Sequence, residues 1–158
     1  MELKRYQKAV IADLTRYLQL LNQTRNYAAA FRLFWQEKSA PSLGHYQDIL
    51  PGVPNLCFKV PTGGGKTFLA CNAIRPVFDA LPVTKTKAVV WLVPSDAILT
   101  QTVKSLKDSN HDYRQKIDVD FGSRVEVYTK QELLNGQNFN PTSVTEQLSI
   151  MVLSYDSF

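Results

Sequence analysis

The stretch LCFKVPTGGGKTFLACNAIRPVFDAL, residues 56–81, constrains the fold more than any other part of the chain. A short apolar run at 56–60 leads directly into three consecutive glycines, Gly63, Gly64 and Gly65. Beyond them the apolar residues recur at helical spacing. Glycine lacks a Cβ and takes positive φ at little cost, so such a loop can turn a strand sharply into a helix. A strand that passes into a helix through a tight turn begins a crossover unit, and crossover units build parallel sheets. Pro76, inside the helical pattern, predicts a kink or an early stop.

The rest of the chain agrees with this reading. Residues 3–21 place Val10, Ile11, Leu14, Leu18 and Leu21 on one helical face. A second amphipathic stretch over 26–38 has Tyr27, Phe31, Phe34 and Trp35 on its apolar side. Prolines and glycines break any period from 39 to 55. The continuous apolar run KAVVWLVP, 87–94, suits a strand buried on both faces of a parallel sheet. Ser95 then reads as the N-cap of a helix, SDAILTQTVKSLKD. The polar stretch 109–120 shows no element. RVEVYT reads as a strand, KQELLN as a short helix ended at Gly136, and LSIMVLS, 148–154, as a further strand. The expectation is an α/β fold with a mainly parallel sheet flanked by helices, preceded by a helical segment. It divides into residues 1–53 and 54–158. Strands at 56–60, 87–93 and 149–154 should run parallel, with the glycine loop at the C-terminal end of the first.

Composition excludes several classes. The chain has 158 residues, 44% of them apolar and 20% charged, which suits a folded domain rather than a disordered one. No apolar run approaches the ~20 residues of a membrane span, and a cytoplasmic location is expected. Cys57 and Cys71 are too few for a disulfide framework and lack metal-ligand spacing. Two buried, reduced thiols are expected. The net charge of +4 permits an anionic partner without requiring one.

The glycine loop has a specific chemistry. Residues 60–67 read VPTGGGKT. Bare backbone can curl so that successive N–H groups converge on a phosphate, and the helix that follows adds its positive dipole end. Lys66 supplies a point charge for the β- and γ-phosphates, and the Thr67 hydroxyl suits Mg²⁺. This is a P-loop, with Val60 standing where the strict pattern has its first glycine.

TGGGKT at 62–67 resembles the P-loop of superfamily two helicases and translocases. LKRYQKAVIADL resembles their Q motif, in which a glutamine reads the adenine edge, and Gln7 is the match. Lys4, Arg5 and Tyr6 are the neighbours able to stack on the ring. VVWLVPSDAILTQTVKSL resembles motif Ia, matching at Pro94, Ser95, Leu99 and Gln101, where the family carries the nucleic-acid backbone. VYTKQELL and IMVLSYDSF resemble the elements that follow. The branch most resembled is the Res subunit of type III restriction enzymes. The resemblance implies a partial RecA-like lobe binding ATP and Mg²⁺. Its cofactor set is Arg5, Gln7, Thr62, Gly63, Gly64, Gly65, Lys66, Thr67 and Phe68. Lys66 and Thr67 carry the catalytic role and Thr67 the metal. Pro94, Ser95, Gln101, Ser154 and Tyr155 are implied for DNA or RNA. A second RecA-like lobe and a modification subunit are the implied protein partners.

One family element is missing. No Asp-Glu pair occurs anywhere in the chain, although the family hydrolyses ATP with such a motif. Asp156, in SYDSF, resembles the stretch before it. The expectation is an N-terminal, ATP-binding part of a larger motor that binds nucleotide without turning it over. The alternatives are a nucleic-acid-binding module that keeps a P-loop, and a different P-loop NTPase.

Overall fold

The computed structural model describes residues 2–41, 44–81, 86–136, 139 and 142–157. The chain divides into two compact units, 1–81 and 82–158.

The first unit is helical. Helix α1 spans Arg5–Thr24, α2 spans Tyr27–Glu37 and α3 spans Lys66–Ala80. Its core joins Leu14, Tyr17, Leu18, Leu20 and Leu21 of α1 to Ala30 and Phe34 of α2, with Leu56, Ala73, Val77 and Ala80 packed against them. Most of the expected face of α1 is therefore core, but Val10 and Ile11 are only half-buried, and Gln7 and Tyr17 join the buried set. Asn26 caps α2, its side chain accepting from the Ala29 N–H at 2.9 Å. Pro76 does not stop α3, which continues to Ala80.

The run at 56–60 forms no strand among the described residues. Apolar character supplies a strand with a face but not with a neighbour, and unpaired backbone builds no ladder. Leu56 and Val60 turn inward while Cys57, Phe58 and Lys59 are exposed. The expectation of two buried thiols is corrected here as well: Cys71 is buried and Cys57 is exposed.

The second unit carries the sheet. Strand β1 spans Ala88–Val93, helix α4 Asp96–Lys107, helix α5 Asp112–Phe121 and strand β2 Val125–Thr129. Helix α6 spans Lys130–Leu134 and strand β3 Leu148–Ser154. The strands run parallel in the order β1-β3-β2, with Val93 opposite Ser154 and Val125 opposite Leu148. Central β3 is the most buried, with Ile150 and Val152 fully enclosed. Edge strand β1 is not buried on both faces as its sequence suggests, since Val90 is 58% exposed.

Helix α5 lies in the polar stretch that showed no element. It buries one residue, Ile117. Its order comes from elsewhere: the His111 ring nitrogen caps the Tyr113 N–H, and Gly122 ends the helix at φ 65°. The pairs Arg114–Asp118 and Lys116–Asp120 each span one turn of it. Arg114 also donates to the carbonyls of Leu106 and Val125, which ties α5 to α4 and β2.

Glu132 closes a capping box at the start of α6. Its carboxylate accepts from the Lys107 amine at 2.7 Å, and from the Thr129 N–H at 2.7 Å and hydroxyl at 2.8 Å. The bond from Lys107, followed by that from the Thr129 backbone, lowers its pKa from an ordinary 4.5 to about 2. A depressed carboxylate stabilises the fold fully above its unfolded pKa and loses that contribution as pH falls through the folded one. Glu132→Gln should therefore melt below the parent at neutral pH, with the gap closing between about pH 4.5 and pH 2. A gap constant across that window in thermal unfolding would refute the assignment.

The thiols give a second check. Burial pushes the Cys71 pKa up to about 12, and thiolate is the reactive form. A maleimide should label Cys57 in the native chain and reach Cys71 only on unfolding. Equal native labelling rates would contradict the burial of Cys71.

Candidate functional site

The glycine loop opens with a turn over 61–64, closed by the Gly64 N–H donating to the Pro61 carbonyl at 3.0 Å. Gly63 has φ 73° and Gly65 φ 68°, while Gly64 between them is not in the positive-φ region. Such alternation curls successive N–H groups towards one side, the concavity that binds anions. Gly65 is the N-cap of α3, whose first backbone bond runs from the Leu69 N–H to the Gly65 carbonyl at 2.9 Å. The N–H groups of Lys66, Thr67 and Phe68 precede that ladder. No acidic residue stands in the first turn of α3, so the dipole end is not neutralised from within the helix. The Lys66 amine donates to the Pro61 carbonyl at 2.9 Å, and an arriving phosphate would compete for it.

Helix α1 delivers two side chains to the same loop. The Tyr6 hydroxyl donates to the Gly64 carbonyl at 2.5 Å, and the Gln7 amide donates to the same oxygen at 3.0 Å. Gln7 is 4% exposed, and its own oxygen accepts from the Lys4 N–H at 2.8 Å. The loop must be bare for this approach. A Cβ on Gly64 would lie 2.7 Å from Val60 Cγ1 and 2.9 Å from the Pro61 oxygen, and one on Gly65 would lie 2.8 Å from Gln7 Nε2.

These residues fit a triphosphate with Mg²⁺. The cradle has no side chains to displace, Lys66 is exposed at its edge, and Thr67 is half-buried one residue into the helix. The Phe68 side chain is buried in the core, and what it offers the loop is its backbone N–H. Arg5 and Thr62 are exposed. Sequence reasoning took Tyr6 only as a stacking candidate. Its bond to a carbonyl 58 residues away leaves no trace in local pattern.

The second group of expected residues lies in the unit 82–158. Parallel register sets Val93 opposite Ser154, so Pro94, Ser95 and Tyr155 leave neighbouring strand ends together. Tyr155 is 63% exposed. Gln101 is exposed and six residues beyond Ser95, about 9 Å further along α4. Ser95 occupies the N-cap position without a side-chain capping bond. Ser154 is buried and donates to the Asp96 carboxylate at 2.6 Å. That carboxylate stands at the start of α4, where the motif comparison leads one to expect a phosphate.

The model of the type III restriction enzyme res subunit matches residues 1–158, the whole chain. The chain belongs to that family. Its members are ATP-dependent, helicase-like enzymes that in general use ATP and Mg²⁺. No curated protein and no solved structure matches the chain. No described helix is long and apolar enough to cross a membrane.

Alanine at either glycine tests the cradle. Gly65→Ala forces a side chain into left-handed backbone, at about 1–2 kcal/mol, and displaces the Gln7 amide. Gly64→Ala meets backbone at Pro61. Both variants should unfold at lower temperature than the parent, whereas Gly136→Ala, with open space around its Cβ, should show backbone strain alone. Equal losses at all three positions, read by calorimetric melting, would argue against close packing at the loop.

Proposed function

We propose that this chain binds ATP through residues 62–67, as the nucleotide-binding part of an ATP-dependent motor on DNA or RNA in a type III restriction enzyme or a relative. The observation that carries the reading is the alternation of backbone conformation through Gly63–Gly65, ending at a helix that begins Lys66-Thr67. Backbone N–H groups and Lys66 hold the phosphates. Thr67 would be the protein ligand for Mg²⁺, which would supply positive charge to offset that of the phosphates. Gln7 spends one N–H and one lone pair within the fold, and the second of each remains for an adenine edge. Pro94, Ser95, Gln101 and Tyr155 are the proposed nucleic-acid contacts, while buried Ser154 serves by joining the end of β3 to Asp96 rather than by touching the strand. A cytoplasmic location, a second RecA-like lobe and a modification subunit go with this reading.

We further propose that these residues alone bind without turnover. Lys66 and Thr67 hold phosphate and one side of the metal. The sequence has no Asp-Glu pair to orient water, and no residue here is assigned to neutralise charge developing on the γ-phosphoryl group. An arginine in that role is worth about a thousandfold or more.

Calorimetric titration tests the binding. Lys66→Ala should weaken ATP at least tenfold, because a charge-assisted bond contributes about 1.5–3 kcal/mol. Unchanged ATP affinity in that variant would sink the reading. Phosphate release should stay at background, with or without nucleic acid, and turnover abolished by Lys66→Ala would overturn the no-turnover proposal. Single-strand affinity should fall steeply between low and moderate salt as counterions are released. Salt-independent affinity would remove the proposed nucleic-acid surface.

A further inference from the structure

We propose that Tyr6, with Gln7, is a positioning residue that sets the direction of the Gly64–Gly65 peptide and thereby the affinity of the loop for the phosphate chain. The proposal rests on the phosphate-binding reading of residues 62–67 and gives the start of α1 a role that does not involve the base.

The argument begins with one oxygen. A carbonyl has two lone pairs, and the Gly64 oxygen receives two side-chain donors from α1, Tyr6 at 2.5 Å and Gln7 at 3.0 Å. The peptide unit is planar and trans, so its C=O and the following N–H point in opposite directions. Holding the Gly64 oxygen towards α1 therefore turns the Gly65 N–H away from α1. With glycines on both sides, rotation of this peptide meets little steric resistance. Rotated, it would present a carbonyl to an anion and withdraw a donor. The two bonds from α1 oppose that rotation.

Packing supports the assignment independently. A Cβ at Gly65 would come within 2.8 Å of Gln7 Nε2, and one at Gly64 within 3.4 Å of the Tyr6 hydroxyl. The glycines thus admit α1 to the loop as well as a phosphate. Gln7 is held by the helix start itself, its oxygen taking the Lys4 N–H at 2.8 Å. Tyr6 is 41% exposed, so its hydroxyl can be removed without opening the core.

The test uses inorganic tripolyphosphate, which has no base, beside ATP and GTP. Tyr6→Phe keeps the ring and any stacking but loses the donor. Gln7→Glu keeps the oxygen that accepts from Lys4 but removes the donor to Gly64. Tyr6→Phe should weaken tripolyphosphate about three- to tenfold, as expected for one lost hydrogen bond, and ATP and GTP by the same factor; Gln7→Glu, which also brings a negative charge to the loop, should weaken all three at least as much and ATP most. The melting temperature of Tyr6→Phe should stay close to that of the parent. Unchanged tripolyphosphate affinity in Tyr6→Phe, or a loss confined to ATP, would overturn the proposal. Lys66→Ala separates the two levels. If it too leaves tripolyphosphate binding unchanged, the phosphate reading has failed; if it abolishes binding while Tyr6→Phe does not alter it, only the positioning role has failed.

Discussion

Helix α1 packs against both α2 and α3, and the glycine loop takes its shape from that double anchorage. Leu14, Leu18 and Leu21 supply the buried face, and truncating any one of them to Ala would cost about 2–5 kcal/mol. Tyr17 is enclosed in the same core, where burial pushes its phenol pKa up. A helix held along its length has a rigid end. That end presents Tyr6 and Gln7 to a loop whose glycines would otherwise leave several backbone conformations close in energy. Hydrophobic packing some distance away thus becomes order at the glycine loop.

Two helix starts in this chain have opposite electrostatic character. Helix α3 begins with Gly65 and Lys66 and has no acid in its first turn. Its dipole end is available to an external anion. Helix α4 begins with Asp96 and carries Lys104 and Lys107 in its last turn, so its dipole is offset from within. The Asp96 carboxylate also accepts from buried Ser154, which binds the end of β3 to the helix that follows β1. One start has no acid of its own to offset the dipole. The other uses its charge to join neighbouring strands of the sheet, and a nucleic-acid phosphate approaching it would meet a carboxylate.

Polar chemistry replaces hydrophobic burial in part of the second unit. Helix α5 buries only Ile117, yet its N-cap, its glycine end and two ion pairs, each spanning one turn, organise it. Exposed ion pairs contribute little individually. Arg114 is more enclosed, and it ties α5 to the carbonyls of Leu106 and Val125 besides pairing with Asp118. Sequence periodicity measures apolar spacing, so an element ordered by caps and one arginine passes beneath it.

The sequence by itself determined the α/β character, the strands within 87–94, 124–129 and 148–154, and the helices that follow Ser95 and Thr129, because apolar period and turn chemistry are local properties. It also showed the glycine loop that leads into helix α3, because three consecutive glycines before a helical period are themselves a local pattern. Tertiary structure decided the rest. Whether 56–60 becomes a strand depends on a neighbour to pair with, which no run of five residues encodes. The actions of Tyr6 on Gly64 and of Ser154 on Asp96 each join residues 58 apart. Such a bond exists only once the packing of α1 or the register of β1 with β3 has brought donor and acceptor within about 3 Å.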